Sequence, residues 1–374
     1  MRVIVCAGGT AGHVNPALSL CQRLKAENAD NKILFIGTSD RIEADLVPRA
    51  GFEYKGIKAQ GLSRSLSISG IKHNISALAD LISSKKECEK IIRDFKPDAV
   101  VGFGGYVTVA VLKAAQKLGV KTAIHEQNAF PGKANITLAK KADEIMLTSP
   151  DAAKRMKCAV TPRITGLPVR DEILSADKKT AREKLGIPQD KKVVLITGGS
   201  LGARAINDLA VSITEKVSAS DNLYLIHGYG SVQKDYPDVL KSRGISPKNA
   251  IISEYLYNMA DCMAAADLII CRAGASTIAE ICAMGKASFL IPYPYATEDH
   301  QYYNALYLKE NGAAWLSRQE EVSADVLGAL VTRLGQGDAE FAQKGENAKK
   351  LAHPDAAREI ASVVLSMTGK EKTP

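Results

Sequence analysis

The residues of this chain that could do chemistry gather in short clusters, each placed just past an apolar run. Gly8-Gly9-Thr10-Ala11-Gly12-His13 follows Val3–Cys6, and Ala273-Gly274-Ala275-Ser276-Thr277 follows Leu268–Cys271. Small residues between a strand and a helix leave backbone N–H groups free to meet an anion. The helical pattern after the second cluster begins at Ile278, and Thr277-x-x-Glu280 also fits a capping box, in which Glu280 bonds back to its own helix terminus. A second apolar strand, Ala287–Pro292, leads into Glu298-Asp299-His300-Gln301. His13, just past the first glycine loop, suits a general base, or it bonds the loop backbone and only shapes it. His125-Glu126 offers a carboxylate as the other candidate base. His300 either orients Gln301 or caps its helix, and His73, His227 and His353 receive no role.

Apolar strands alternating with amphipathic helices must position these clusters. The strands read as Val3–Ala7, Ile33–Gly37, Ala99–Gly102, Lys121–Ile124, Val193–Thr197, Leu223–His227, Ala250–Ile252, Leu268–Cys271 and Ala287–Ile291. Such alternation predicts α/β architecture with parallel sheets and right-handed crossovers. One design recurs: GGTAGH at Gly8–His13 and GGSLGA at Gly198–Ala203 each follow a strand and open a helix. In the first, Asn15 and Pro16 read as an N-cap and a first-turn proline. Two such starts predict two Rossmann-like domains, 1–163 and 164–350, joined near the non-helical segment Thr161–Arg170, with donors from both sides of a central cleft. The helical stretch His353–Met367 fits against either domain. Neither loop carries G-x-G-x-x-G or a Walker lysine, which weakens nicotinamide and ATP-hydrolysis readings.

With 374 residues, 46% of them hydrophobic and 24% charged, the chain is long enough for two buried cores. A net charge of +8 favours anionic partners. Aromatic residues make up only 5% and do not interleave with basic ones, so nucleic acid is not expected as a partner. Seven cysteines without a C-x-x-C read as reduced structural thiols of a cytosolic protein, with no metal site. The chain opens directly into a strand, without the pattern of a signal peptide. Its longest apolar stretch, Ala99–Leu112, is broken by glycines and too short to span a bilayer.

In order, the motifs are GGTAGH (Gly8–His13), GFGGYV (Gly102–Val107), HEQN (His125–Asn128), GLPVR (Gly166–Arg170), GGSLGA (Gly198–Ala203), RAGASTIAE (Arg272–Glu280) and HQYYNA (His300–Ala305). From residue 2 to about residue 355 this set resembles the MurG family, the UDP-N-acetylglucosamine transferases that convert lipid I to lipid II in bacterial peptidoglycan synthesis. Ala11 stands where that family usually has Gly, Leu167 where Asn is common and Leu201 where Gln is common. The resemblance implies a GT-B fold, two Rossmann-like domains with parallel sheets facing a central cleft and the donor mainly in the second. It also implies an inverting reaction in which the 4-hydroxyl of N-acetylmuramic acid attacks C1 of GlcNAc and UDP leaves. Carried onto matching positions, Ser200 holds the diphosphate and Leu256 presents its backbone to uracil. Glu280 takes the ribose hydroxyls with Ala275, Ser276 and Thr277 nearby. Gln301 and Asn128 contact the sugar, Arg170 lies near the diphosphate, and Thr10, Ala11 and Gly12 line the cleft. Gly104, Gly105 and Tyr106 let backbone approach the acceptor diphosphate, although the glycines also fit a plain βα turn.

No D-x-D occurs, so the usual pair of metal-holding carboxylates is missing and no cofactor is expected. Backbone donors of two loops and Arg170 are expected to meet the charge on the leaving diphosphate. The implied partners are UDP-GlcNAc, lipid I and an anionic membrane surface, with the enzyme peripheral on the cytoplasmic face. Within 68–86, Ile71, Ile75, Leu78 and Ile82 fall at helical spacing beside Lys72, Lys85 and Lys86. That stripe suits a membrane interface, and it equally suits a core-facing helix. The rival readings are a GT-B transferase with another lipid acceptor, a UDP-sugar epimerase of the same fold, and a UDP-sugar-binding subunit that needs a partner.

Overall fold

In this chain, apolar runs with both faces covered build parallel strands, and the order of those strands decides where the loops meet. The computed structural model describes residues 1–59, 67, 83–199 and 201–369. They form two compact units: Met1–Pro168 together with the chain from His353 onward, and Val169–Ala352.

The first unit holds β1 (Arg2–Cys6), β2 (Lys32–Thr38), β3 (Glu53–Ile57), β4 (Ala99–Gly102), β5 (Lys121–Glu126), β6 (Glu144–Leu147) and β7 (Arg163–Ile164). All pairings are parallel, in the order β3-β2-β1-β4-β5-β6-β7. Alternate residues of β1 go to opposite faces, as a pleated strand requires. Ile4 and Cys6 join Leu34, Ile36 and Val100 on one side, while Val3 and Val5 join Phe35 and Val101 on the other. The helix Ala356–Met367 packs here, its Ile360 and Val364 sharing a core with Val14, Ala17 and Leu24 of the helix Ala11–Glu27.

The second unit holds β8 (Lys192–Thr197), β9 (Leu223–Gly228), β10 (Ala250–Ser253), β11 (Leu268–Cys271), β12 (Ala287–Leu290) and β13 (Ala314–Leu316), again all parallel, in the order β10-β9-β8-β11-β12-β13. Val193 and Leu195 face one core, Val194 and Ile196 the other. In each unit the direction of winding reverses beside the first strand, between β1 and β4 and between β8 and β11. Loops leaving a sheet at such a point are splayed apart, and open α/β sheets bind ligands there.

The nine strands read from sequence are present. β3, β6, β7 and β13 were not read, and each lies at a sheet edge or next to one, where a continuous apolar run is not needed. β7 also alters the expected division. Arg163 and Ile164 pair with Met146 and Leu147, so the segment read as a linker adds a strand to the first sheet. The seven cysteines are all free, six of them buried. Among the described residues no helix is long and apolar enough to cross a membrane. The apolar stripe Ile71, Ile75, Leu78 and Ile82 lies outside the described residues.

Each unit buries one histidine completely, His125 and His227. Loss of solvation pushes both imidazoles down to about 4, against the opposing pull of a backbone hydrogen bond in each. An unfolded chain takes up these protons near pH 6.5, the folded chain only near pH 4. Stability is therefore full above pH 6.5 and falls as pH drops through that window, by roughly 3 kcal/mol per histidine. Urea midpoints measured from pH 7 to pH 4 are expected to decline accordingly, and the decline should be shallower in His227→Phe whatever its absolute stability.

Candidate functional site

In the first unit the loops after β1 and β4 pack backbone against backbone. Gly8 N–H donates to the Gly104 carbonyl at 3.3 Å. A Cβ on Gly105 would fall 2.4 Å from the Gly8 oxygen, and Gly105 has φ +86, so no other residue fits there. From beneath, the buried Glu43 carboxylate accepts from Gly9 N–H at 3.3 Å, and from the Thr38 N–H and hydroxyl at 3.0 and 2.5 Å. Sequence reading gave Glu43 no role, because nothing in its spacing tells a buried loop anchor from a surface glutamate. The helix starts directly after the glycines, at Ala11, with Thr10 as N-cap. This differs from the expected cap at Asn15. Pro16 lies inside the helix, past its first turn, and has no N–H to give the Gly12 carbonyl. Thr10, Ala11 and Gly12 are exposed, and Tyr106 is exposed at the start of the helix Tyr106–Lys117.

His13 stands over this junction. A Cβ on Gly104 would sit 3.0 Å from its ring, so the glycine makes room for the imidazole. His13 Nδ1 is 2.9 Å from Gln127 Oε1. Gln127 Nε2 lies 3.1 Å from His125 Nδ1 and 3.0 Å from the His125 carbonyl, and His125 Nε2 lies 2.8 Å from the Gly166 carbonyl. Gln127 is buried and had no role in the sequence reading.

Glu126 is also buried, and its carboxylate is fully occupied. Oε1 accepts from Asn128 N–H at 2.9 Å and from Asn128 Nδ2 at 3.3 Å. Oε2 accepts from Gly132 N–H at 3.0 Å and from Asn135 Nδ2 at 2.8 Å. With four N–H donors on it, the Glu126 carboxylate folds the loop after β5 and fixes the side chain of Asn128, a role that the sequence reading of it as a candidate base did not include.

In the second unit the loop after β8 is held by close backbone contacts. Gly199 N–H donates to Thr197 Oγ1 at 3.2 Å, and a Cβ on Gly202 (φ +83) would fall 2.1 Å from the Tyr229 carbonyl. Ser200 lies outside the described residues, and Leu201 is largely exposed. After β11, the helix Ala275–Met284 begins at Ala275 with Gly274 as N-cap. Thr277 and Glu280 therefore lie within its first two turns, and no capping box forms. Glu280 instead pairs with Arg170, whose Nε and Nη2 both reach Oε1 at 3.0 Å. Arg170 also meets Glu172 at 2.7 Å. Burial raises the Glu280 carboxyl above its ordinary value, opposed by Arg170. Arg170, Thr197, Gly199, Leu256, Thr277 and Glu280 line a cavity of about 210 Å³. The Leu256 side chain packs on Gly228.

Gln301 ties two loops together: its Oε1 accepts from Ala273 N–H at 3.2 Å and from Tyr293 N–H at 3.0 Å. Both bonds use the amide oxygen, so the amide nitrogen is spent on neither. His300 Nδ1 donates to the Thr297 carbonyl at 2.8 Å, which ties the ring to the turn before its own helix. Glu298 and Asp299 in that turn have φ of 54 and 53, a left-handed pair that non-glycine residues rarely adopt. Arg272 donates to the Ile291 and Pro292 carbonyls and to Gln319, a structural clamp that sequence reading did not assign.

The four helices that open at the two switch points share one property. Those starting at Ala11, Tyr106, Arg204 and Ala275 have no side-chain cap bond and no acidic residue in the first turn. The helices at Lys133 and His300 start the same way, whereas those at Lys178 and Ala324 are capped by Asp177 and Ser323. Uncapped first turns leave N–H groups and the positive end of the helix dipole available to an anion.

Two parallel-sheet Rossmann-like units with such helix starts at both switch points define the GT-B class of glycosyltransferase. The glycosyltransferase family 28 N-terminal domain matches residues 3–147, and the family 28 C-terminal domain matches residues 193–360. The chain is 40% identical over 365 residues, 97% of each chain, to the UDP-N-acetylglucosamine--N-acetylmuramyl-(pentapeptide) pyrophosphoryl-undecaprenol N-acetylglucosamine transferase of Acetivibrio thermocellus. It is similar to the crystal structure of Acinetobacter baumannii MurG, with TM-score 0.78, 29% identity and 98% and 99% of the two chains covered. The chain belongs to the MurG family of glycosyltransferases. A UDP-GlcNAc 2-epimerase from Neisseria meningitidis bound to UDP-GlcNAc shares the fold alone, with TM-score 0.66, 15% identity and 98% and 100% coverage.

Anchor and base are separable by experiment. Glu126→Ala strands four N–H donors and is expected to lose about 2–4 kcal/mol of stability in urea unfolding. His13→Ala gives up one partly exposed hydrogen bond and is expected to stay within about 1 kcal/mol of wild type. A stable Glu126→Ala with turnover cut by 10²-fold or more would instead favour Glu126 as the base.

Proposed function

We propose that the chain transfers GlcNAc from UDP-GlcNAc to the 4-hydroxyl of N-acetylmuramic acid in lipid I, giving lipid II for peptidoglycan synthesis. The observation that carries this reading is the cavity of the second unit. An uncapped helix start for phosphate, a carboxylate with one oxygen clear of Arg170, and a leucine with only its backbone to offer line one small space. Those groups suit phosphate, ribose and uracil in turn.

The second unit holds the donor. The uncapped first turns of the helices at Arg204 and Ala275, the Ser200 hydroxyl and the Arg170 guanidinium take the diphosphate. Glu280 accepts from the ribose hydroxyls, Leu256 offers its backbone to uracil, and the Gln301 amide nitrogen reaches the sugar. Preorganised donors of this kind are worth roughly 3–4 kcal/mol each toward developing charge, and together they serve in place of a metal ion. The first unit supplies His13 and the Gly104-Gly105-Tyr106 turn for the acceptor, while Asn128 contacts the donor sugar. The acceptor C4 oxygen bonds to C1 of GlcNAc on the face opposite UDP and its proton passes to His13. The C1–oxygen bond to the β-phosphate breaks, and UDP leaves with the electron pair. Attack from the opposite face inverts the anomeric centre. Because lipid I is anchored in a bilayer, the enzyme works as a peripheral protein on the cytoplasmic face, where the net charge of +8 favours an anionic surface.

UDP release from UDP-GlcNAc, measured in EDTA with and without a lipid I analogue, tests this reading. Release that requires the acceptor and proceeds without divalent ions is expected. Conversion of the sugar with no acceptor present would favour an epimerase, and loss of turnover in EDTA restored by Mg²⁺ would overturn the metal-free step.

A further inference from the structure

The hydrogen bonds beneath His13 run in one direction only. The Gly166 carbonyl can only accept, so His125 Nε2, 2.8 Å away, must carry a proton. His125 is completely buried, and loss of solvation keeps it neutral at physiological pH, which leaves its Nδ1 as an acceptor. Gln127 faces that nitrogen at 3.1 Å and the His125 carbonyl at 3.0 Å, two acceptors on the same side. Turned over, the amide would set its oxygen against both. Its NH₂ group must therefore point to His125 and its Oε1 to His13. At 2.9 Å from that oxygen, His13 Nδ1 is the donor.

We infer that Gln127 and His125 are positioning residues that lock His13 in the tautomer with the proton on Nδ1, so that Nε2 presents its lone pair to the acceptor hydroxyl. Which ring nitrogen of a histidine is protonated is set by the bond the other makes. Here that setting originates at a backbone carbonyl, Gly166, and passes through two buried side chains. An imidazole in the other tautomer would show an N–H where a base needs a lone pair. The relay also explains why HEQN carries both a histidine and a glutamine: Glu126 builds the loop, while His125 and Gln127 orient the proton. The catalytic consequence rests on His13 as the base proposed above; the tautomer itself does not.

The test is ¹⁵N NMR of the imidazoles in the full-length protein labelled at histidine, at mildly alkaline pH, beside steady-state kinetics. Wild type is expected to show His13 protonated at Nδ1, and Gln127→Met, which keeps the side-chain length, to show a majority protonated at Nε2. Gln127→Met is expected to lose at least tenfold in kcat with KM for UDP-GlcNAc within twofold of wild type. In a His13→Ala background the same change should alter kcat less than twofold, an independence that a merely structural role would not produce. A wild-type spectrum with His13 protonated mainly at Nε2 overturns the lock, and it needs no variant to fold. Full kcat in His13→Ala overturns the base reading, and with it the catalytic consequence, while leaving the tautomer to the spectrum.

Discussion

A backbone N–H can serve a ligand only if the loop that carries it is held by something else. In this chain acceptor atoms of side chains, two of them buried carboxylates, hold those loops. Glu43 takes Gly9 and Thr38, Glu126 takes Asn128 and Gly132, and the amide oxygen of Gln301 takes Ala273 and Tyr293. A buried carboxylate is tolerable only when its lone pairs are met, and the loop N–H groups that meet them are fixed in return. Loop and anchor therefore define each other. Glycines complete the arrangement where there is no room for a Cβ, as at Gly105 against Gly8 and at Gly202 against Tyr229.

The two units differ in what these anchored loops carry. The first has a histidine, His13, on a directed hydrogen-bond chain. The second has uncapped helix starts and an arginine paired with a carboxylate, Arg170 with Glu280. The N. meningitidis epimerase shares the fold at 15% identity, so architecture alone does not choose the reaction. The choice comes from the site residues and from membership of the MurG family.

Much of this was legible in the sequence because the strands that matter lie at the sheet centres. Runs such as Val3–Cys6 and Leu268–Cys271 are apolar on both faces, and the glycine clusters after them mark the turns. Edge strands were missed for the converse reason, as with Glu53–Ile57, which alternates charged and apolar residues. Helix starts were misplaced where a weaker pattern imitated a cap. Asn15-Pro16 and Thr277-x-x-Glu280 both fit capping rules, yet in each case the turn is tight enough for the helix to begin three or more residues earlier. The anchoring bonds of Glu126 were not legible, because an acid beside a histidine looks the same in sequence whether it faces substrate or four N–H groups. Its partners Gly132 and Asn135 lie far enough along the chain that only the folded loop returns them.

The central claim is that the second unit grips the donor diphosphate with backbone N–H groups. The most direct measurement is a titration of the protein with UDP-GlcNAc followed through its backbone amide NMR shifts. Shifts concentrated at Gly198–Ala203, Ala273–Thr277 and Leu256 are expected. Saturable binding that moves the amides of Gly8–His13 and leaves those of the second unit in place would contradict it.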